Sequence, residues 1–127
     1  MLGWALSIVI VVSLVGLGLG GVAAPRRFAA LYGIVLDDER ALAFVRAMGA
    51  RDVVIGALLA VIALQRRSAP LGWGLCLTAL VAVTDYAVVT ADRRAAASGG
   101  SVTMDARPLH VMGAVGLIVA GTLLFLG

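Results

Sequence analysis

Residues 2–24 read LGWALSIVIVVSLVGLGLGGVAA, an apolar run without a charged side chain. Wound as an α-helix, this run would be about 34 Å long, which is enough to cross the hydrocarbon core of a bilayer. Pro25, Arg26 and Arg27 follow it and indicate where the chain leaves the bilayer. The run lacks a basic n-region and is too long for the apolar core of a signal peptide, so we interpret it as a mature helix.

Three further apolar runs are long enough to form membrane-spanning helices. They are residues 41–64, 71–91 and 109–127. Helices satisfy every backbone hydrogen bond internally where no water is available, so each run is expected to be helical. The sequence therefore predicts an all-α protein with a single integral membrane domain, residues 1–127, built as a bundle of four transmembrane helices at about 2–24, 41–64, 71–91 and 109–127.

The composition excludes most classes of soluble protein. Of the 127 residues, 62% are apolar and 13% are charged, and the mean hydropathy is +1.10. A soluble domain of this size buries too small a fraction of its surface to hide so much apolar area from water. The ten basic residues are all arginines, and most of them lie at the edges of the apolar runs, unlike the continuous basic face of a nucleic-acid-binding protein. The chain is therefore expected to contact the lipid bilayer and no nucleic acid.

The three connections differ in character. Residues 25–40 contain a short apolar piece and then Asp37-Asp38, which predicts a short interfacial helix followed by an aspartate N-cap for the second transmembrane helix. Residues 65–70 are so few that the second and third helices are expected to be antiparallel neighbours. Residues 92–108 include Ala-Ser-Gly-Gly-Ser, which is typical of a flexible loop.

The arginine distribution predicts the orientation of the chain. The first and third connections hold Arg26, Arg27, Arg40, Arg93, Arg94 and Arg107, whereas the second holds Arg66 and Arg67. Connections rich in positive charge stay in the cytoplasm. The sequence therefore predicts a multi-pass protein of the inner (plasma) membrane with both termini outside.

Small residues predict where helices approach each other closely, because a missing side chain lets two backbones meet. The positions that share a helix face are Gly16 and Gly20 on the first helix, Gly49 and Gly56 on the second, and Gly113, Ala114 and Gly121, together with His110, on the fourth. These faces are expected to be helix–helix contacts.

Ionisable residues inside the apolar runs are the strongest indication of function. They are Arg46, Arg51 and Asp52 in the second run, Asp85 in the third and His110 in the fourth, all in the half of the bilayer that faces the arginine-rich connections. A charge at a helix centre costs about 2.5–3.5 kcal/mol, so such groups persist where they pair or line a wet cavity. We expect an enclosed pocket in which Arg51 reaches Asp85, while Asp52, projecting from a different face, meets Arg46 or His110.

A cofactor-free acid–base enzyme acting on a lipophilic substrate is the first hypothesis for this cluster. His110 and Asp85 would be the base and the acid, Asp52 would tune them, and Arg51 would stabilise a developing oxyanion in an isomerase, cyclase or hydrolase type of reaction. The supporting or substrate-binding residues would be Arg46, Gly49, Thr78 and Tyr86. No metal is expected, because the neighbouring arginines would repel a cation.

The same residues also have structural interpretations. Arg51 and Asp85 would then be an ion pair that sets helix register, Arg46 a side chain that reaches the headgroups, and Tyr86 an interface anchor. The alternative function is a non-catalytic accessory subunit of a membrane complex, or a small homo-oligomeric transporter or channel. In that case the glycine faces would bind the partner.

Residues 46–56, RAMGARDVVIG, together with Asp85 and with His110-x-x-Gly113, resemble a family of small four-helix integral membrane proteins of unknown function from bacteria and fungi. The chain is also similar in size and helix count to DoxX-like membrane proteins. The resemblance extends over nearly the whole chain. It implies four helices and a role for the ionisable residues, and it supplies no substrate.

Cysteine labelling tests the predicted orientation. In a chain in which Cys76 is replaced by Ala, Gln65→Cys is expected to react with a membrane-impermeant maleimide in intact cells, because its connection should face outside. Ser101→Cys should react only after the membrane is permeabilised. The reverse pattern, or labelling of both positions in intact cells, would contradict the orientation.

Overall fold

The computed structural model describes residues 1–31, 38–96 and 107–126, with the side chains of 31, 88–96 and 107–110 outside that description. The helices in these ranges are α1 (Leu2–Ala23), α2 (Pro25–Leu31), α3 (Glu39–Leu64), α4 (Ser68–Ala96) and α5 (Arg107–Leu126). The predicted all-α architecture is confirmed, including the short helix after the first. The expected flexible loop falls mostly on residues 97–106, outside the described residues.

Two local signals in the sequence set the ends of helices. Asp38 is the N-cap of α3, and its side chain accepts a hydrogen bond from the backbone N–H of Arg40 at 3.1 Å, as expected for an aspartate in that position. The helix α4 begins at Ser68, three residues before the predicted boundary, and places Pro70 in its first turn. Proline is tolerated there because the first turn has no intrahelical partner for its missing N–H.

The apolar surface of the helices faces outward. Three segments are long and apolar enough to cross a membrane, namely Leu2–Ala23, Glu39–Leu64 and Ser68–Ala87, and the described apolar segment of α5, Val111–Leu126, is shorter. Only 17% to 28% of the residues in each spanning window are buried inside the protein. Exposed apolar side chains are favourable in contact with lipid and unfavourable in contact with water. The chain is therefore a multi-pass membrane protein.

Two helix pairs make up the bundle. The helix α1 packs along α3, and α4 packs along α5, whereas α1 touches α5 less and α3 touches α4 least of these four neighbours. The α3–α4 connection, residues 65–67, is short, so chain continuity holds together the two helices that pack least. Its Arg66 has a φ of 56° and lies with its guanidinium 5.8 Å from the centre of the Trp4 ring, a cation–π contact that ties the turn to α1.

Glycines on α3 let α1 approach closely. A Cβ added to Gly49 would lie 2.6 Å from the carbonyl oxygen of Gly18, and one added to Gly56 would lie 2.7 Å from a methyl group of Val15. The prediction that Gly49 and Gly56 share a contact face is therefore confirmed. The backbones meet at Gly49 and Gly18 because neither residue carries a side chain, and the missing side chain of Gly56 leaves room for Val15.

On α1, however, the contact uses a different pair of glycines from the expected one. Gly18 and Gly21 face α3, whereas a Cβ added to Gly16 would meet nothing within 4 Å, and Gly20 faces Phe28 of α2. The expectation of a helix–helix contact is therefore wrong for Gly16, whereas Gly20 contacts the short helix α2 and not a spanning helix. The spacing of a GxxxG pair shows that two glycines share a face, and it does not show which neighbour that face meets.

The α4–α5 contact follows the same physical rule. A Cβ on Gly72 would lie 3.0 Å from the carbonyl oxygen of Gly121, and one on Gly121 would lie 2.7 Å from the Cys76 sulfur. Ala114 and Gly121 are buried, as expected, but Gly113 is exposed with nothing near it. The predicted shared face on this helix is thus correct for Ala114 and Gly121 and wrong for Gly113.

The apolar core lies mainly toward the end of the bundle that carries the 65–67 connection. Its buried residues are Val11, Leu59, Leu71, Leu75, Ala79, Leu117, Ala120 and Leu124. Arg51, Asp52 and Asp85 lie farther along α3 and α4 from that connection than the core residues of the same helices. The part of the α3–α4 contact that lies farther from residues 65–67 is therefore formed by these polar side chains.

Gly18→Ala is expected to lower the free energy of unfolding by about 1–3 kcal/mol, the usual cost of overpacking, because its methyl group would lie 2.6 Å from the carbonyl oxygen of Gly49. Gly16→Ala is the matched control on the same helix, since its methyl group would meet nothing within 4 Å. Unfolding of the detergent-solubilised protein by SDS measures both variants. Equal destabilisation would show that close approach at Gly18 does not hold α1 to α3.

Candidate functional site

Arg51 of α3 holds two carboxylates. Its Nη2 donates to Oδ2 of Asp85 at 2.9 Å and its Nη1 donates to Oδ1 of Asp85 at 3.3 Å, so the two helices are joined by a bidentate pair. Its Nε and Nη2 also donate to Oδ1 of Asp52, each at 3.2 Å. The expected contact between Arg51 and Asp85 is therefore present. One guanidinium serves both acids because it carries five N–H donors in a planar fork.

The expectation that Arg51 and Asp52 project into different seams is wrong. The arginine side chain is long enough for its inner N–H to meet the adjacent aspartate while its outer N–H groups reach α4. The expected contact between Asp52 and Arg46 is wrong as well. Arg46 is exposed and lines a groove at the junction of α1 and α2.

The polar cluster is open, and the enclosed pocket predicted from the sequence is not found in the described part of the chain. Side-chain exposure is 37% for Arg51, 27% for Asp52 and 20% for Asp85. The groove at the α1–α2 junction and a second groove between α4 and α5 are lined by other residues. The cluster stays open because α3 and α4 pack less extensively than the other neighbouring long helices.

The cluster carries an excess of negative charge when all three groups are ionised, since one arginine faces two aspartates. Asp85 uses both of its oxygens on Arg51, whereas Asp52 uses only Oδ1. Within the described ranges, Oδ2 of Asp52 has no hydrogen-bond partner. An unbalanced charge is costly away from water, so this oxygen is suited to accept a proton or a hydrogen bond from a bound molecule.

The other residues named from the sequence lie apart from this ion pair. Gly49 belongs to the α1–α3 contact, and Thr78 is buried and donates to the carbonyl oxygen of Gly74 at 2.8 Å. Tyr86 is half-buried and lines the α4–α5 groove, which has a volume of about 260 Å³. His110 lies in the first turns of α5, and its side chain falls outside the described residues.

The described residues hold no group of three or more His, Cys, Asp or Glu side chains that could bind a metal ion. The Arg51 cluster combines a fixed positive charge with a carboxylate oxygen of Asp52 that accepts no hydrogen bond from the described side chains. Such a pair can remove a proton from a bound molecule and stabilise the resulting negative charge.

Sequence reasoning missed that Arg27 and Arg46 line the same groove at the α1–α2 junction. Arg27 was assigned only to membrane topology. A usable signal was present, since Glu39, Leu42 and Arg46 recur at the helical spacing of one face. That face places Arg46 at the same end of α3 as the connection that contains Arg27.

A double-mutant cycle tests the pair that joins α3 to α4. Asp85→Asn is expected to lower the free energy of unfolding by about 1–2 kcal/mol, near the upper end for polar contacts between membrane helices. Arg51→Gln should cost more, because it leaves two carboxylates without a counter-charge. The double variant should cost less than the sum of the two single variants, as measured by SDS unfolding, and strictly additive losses would contradict the coupling.

Of three comparisons with known proteins, one gives a match. No curated protein matches the chain, and no solved structure matches it. A family model described as a domain of unknown function, DUF4267, matches residues 2–124, from the first residue of α1 almost to the end of α5. The expectation of a small membrane protein of unknown function is thereby confirmed, and the chain belongs to the DUF4267 family.

Proposed function

We propose that this small membrane protein is a cofactor-free acid–base enzyme whose lipophilic substrate reaches the Arg51 cluster from the bilayer, between α3 and α4. The observation that carries the proposal is the exposure of the cluster, between 20% and 37% for its three side chains. Ionisable side chains within spanning helices are costly in lipid, and such groups commonly mark a substrate or ion pathway. These three belong to two helices that are long and apolar enough to cross a membrane, and their side chains are only partly buried.

The hydrogen bonds support roles for Asp85 and Asp52 that differ from those expected from the sequence. Asp85 has both oxygens engaged by Arg51 and acts as the group that orients the guanidinium. Asp52, with one open oxygen, is the proton acceptor, and Arg51 stabilises the negative charge that develops on the substrate. A proton taken from one atom and returned to another isomerises or cyclises a substrate without any oxidant or reductant.

His110 is proposed as a second proton-transfer group. The helices α4 and α5 are antiparallel, and Gly72 meets Gly121. His110 lies as many residues before Gly121 as Val83 lies after Gly72. In antiparallel helices those two positions are at the same level, so the backbone of His110 lies about 3 Å along the helix axis from Asp85. The helix register thus supports a position of His110 at the depth of the cluster.

The membrane arrangement proposed here has four spans in a single domain, with α5 as the fourth. The close contact between Gly72 and Gly121 supports this, because it places α5 alongside a spanning helix. The arginine distribution supports an inner-membrane location with both termini outside and the cluster in the cytoplasmic half.

Comparative analysis of lipophilic metabolites tests the proposal. Native host cells lacking the protein are complemented with the wild type, with Asp52→Asn, or with the control Asp38→Asn, which keeps an N-cap at the exposed start of α3. Asp52→Asn should remove the proton acceptor and accumulate an unconverted lipophilic compound, with a loss of about 10²-fold or more in turnover. The control should match the wild type. Identical metabolites in Asp52→Asn and wild-type cells, at equal protein abundance, would refute catalysis by Asp52.

A second candidate is a non-catalytic subunit or homo-oligomer, favoured by the open glycines of α5. A Cβ added to Gly113 or Gly116 would meet nothing within 4 Å, so another helix could approach this face closely. Native mass spectrometry in mild detergent separates the two functions. Stoichiometric recovery of a second polypeptide or copy supports the subunit, whereas a lone chain that carries a lipophilic small molecule supports the enzyme.

A further inference from the structure

An open groove of about 500 Å³ lies where α1 gives way to α2, beside the first turns of α3. Its lining residues are Ala23, Ala24, Pro25, Arg26, Arg27, Glu39, Leu42 and Arg46. The groove lies at a different place in the bundle from the Arg51 cluster and shares no residue with it. What it binds can therefore be argued, and tested, independently of the proposed function.

The groove has more positive charge than its own residues neutralise. Arg26 donates to Glu39 at 2.8 Å, a contact that links α2 to the start of α3. Arg27 and Arg46 also line the groove, are exposed, and have no carboxylate partner within the described ranges. Two unpaired guanidinium groups beside one cavity are suited to a phosphate group, which accepts bidentate hydrogen bonds from arginine.

The packing of helix α2 fixes the direction in which Arg26 and Arg27 point. Pro25 and Ala29 are buried, and Phe28 lies against Gly20 of α1. Arg26 and Arg27 are on the exposed side of the same short helix. The apolar side of α2 thus holds it against the bundle, and its basic side is presented to the groove and the exterior.

The groove lies at the end of a spanning helix, where lipid headgroups are expected. It lies directly after α1, an uncharged spanning helix that ends at Ala23. Its wall combines apolar side chains, Ala23 and Leu42, with the arginines. A free anion would meet only the arginines, whereas a lipid would also place its glycerol and acyl carbons against the apolar wall.

We propose that this groove binds the phosphate group of an anionic membrane lipid, held by Arg27 and Arg46 with its acyl chains alongside α1 and α3. Arg26 contributes positive charge, and its contact with Glu39 keeps the groove in shape. Zwitterionic lipids carry the same phosphate together with a cationic group, which two unpaired arginines disfavour.

Titration of the purified full chain with short-chain lipids tests this site. Dioctanoyl phosphatidylglycerol is expected to raise the thermal unfolding midpoint in detergent and to be retained in native mass spectra, and dioctanoyl phosphatidylcholine to do so much less. Arg27→Gln with Arg46→Gln should weaken binding of phosphatidylglycerol by about tenfold or more. The matched control is Arg67→Gln, which removes one exposed arginine at the opposite end of the bundle and should leave binding unchanged.

Each other outcome overturns the proposal. Unchanged affinity in the Arg27 and Arg46 double variant would exclude the groove, and equal weakening by Arg67→Gln would indicate general charge attraction. Equal stabilisation by inorganic phosphate at the same concentration would identify a soluble anion in place of a lipid. If the glutamine variant does not fold, Arg27→Lys with Arg46→Lys keeps the charge and removes the bidentate geometry. That variant should still bind more weakly than the wild type, and wild-type affinity would refute the arginine site.

Discussion

Apolar side chains gain little by leaving lipid for the interior of a membrane protein, so the helices of this bundle depend on close backbone approach and polar contacts. Close backbone approach occurs between α1 and α3 at Gly18 and Gly49, and between α4 and α5 at Gly72 and Gly121. Gly3 gives a third close approach, between α1 and the backbone of α5 at Leu123. The fourth neighbouring pair, α3 and α4, is joined by the ion pair between Arg51 and Asp85. The architecture thus follows from which helices carry glycine at the point of contact.

The openness of the polar cluster is a consequence of the same constraint. Where glycines meet, the helices lie too close for anything to enter between them. The α3–α4 seam is bridged by side chains around Arg51, and longer side chains keep two backbones farther apart. The least closely packed pair of neighbouring long helices therefore holds the Arg51 cluster, and the charged side chains of the cluster remain partly exposed.

Several features followed from local sequence alone because their causes are local. An uncharged run such as residues 2–24 can only satisfy its backbone by forming a helix in lipid, and Asp38 caps α3 through the backbone next to it. The contact between Arg51 and Asp85 is not local, but it was predicted because a charge within an apolar bundle has few possible partners.

The wrong predictions were those of which neighbour a residue faces. The partner of Asp52, and the choice of Gly18 over Gly16, depend on how each helix is rotated about its axis.

By itself, the sequence determined that the chain is helical and that it lies in a membrane, and it predicted the contact between Arg51 and Asp85 without excluding other pairings. Hydropathy and the cost of unpaired charge are sufficient for those conclusions. Only the tertiary structure decided that the cluster is open, that Asp52 and Asp85 share Arg51, and that Arg27 and Arg46 line one groove. The physical reason is that periodicity places residues on a face of a helix, whereas packing between helices decides what that face meets and how tightly.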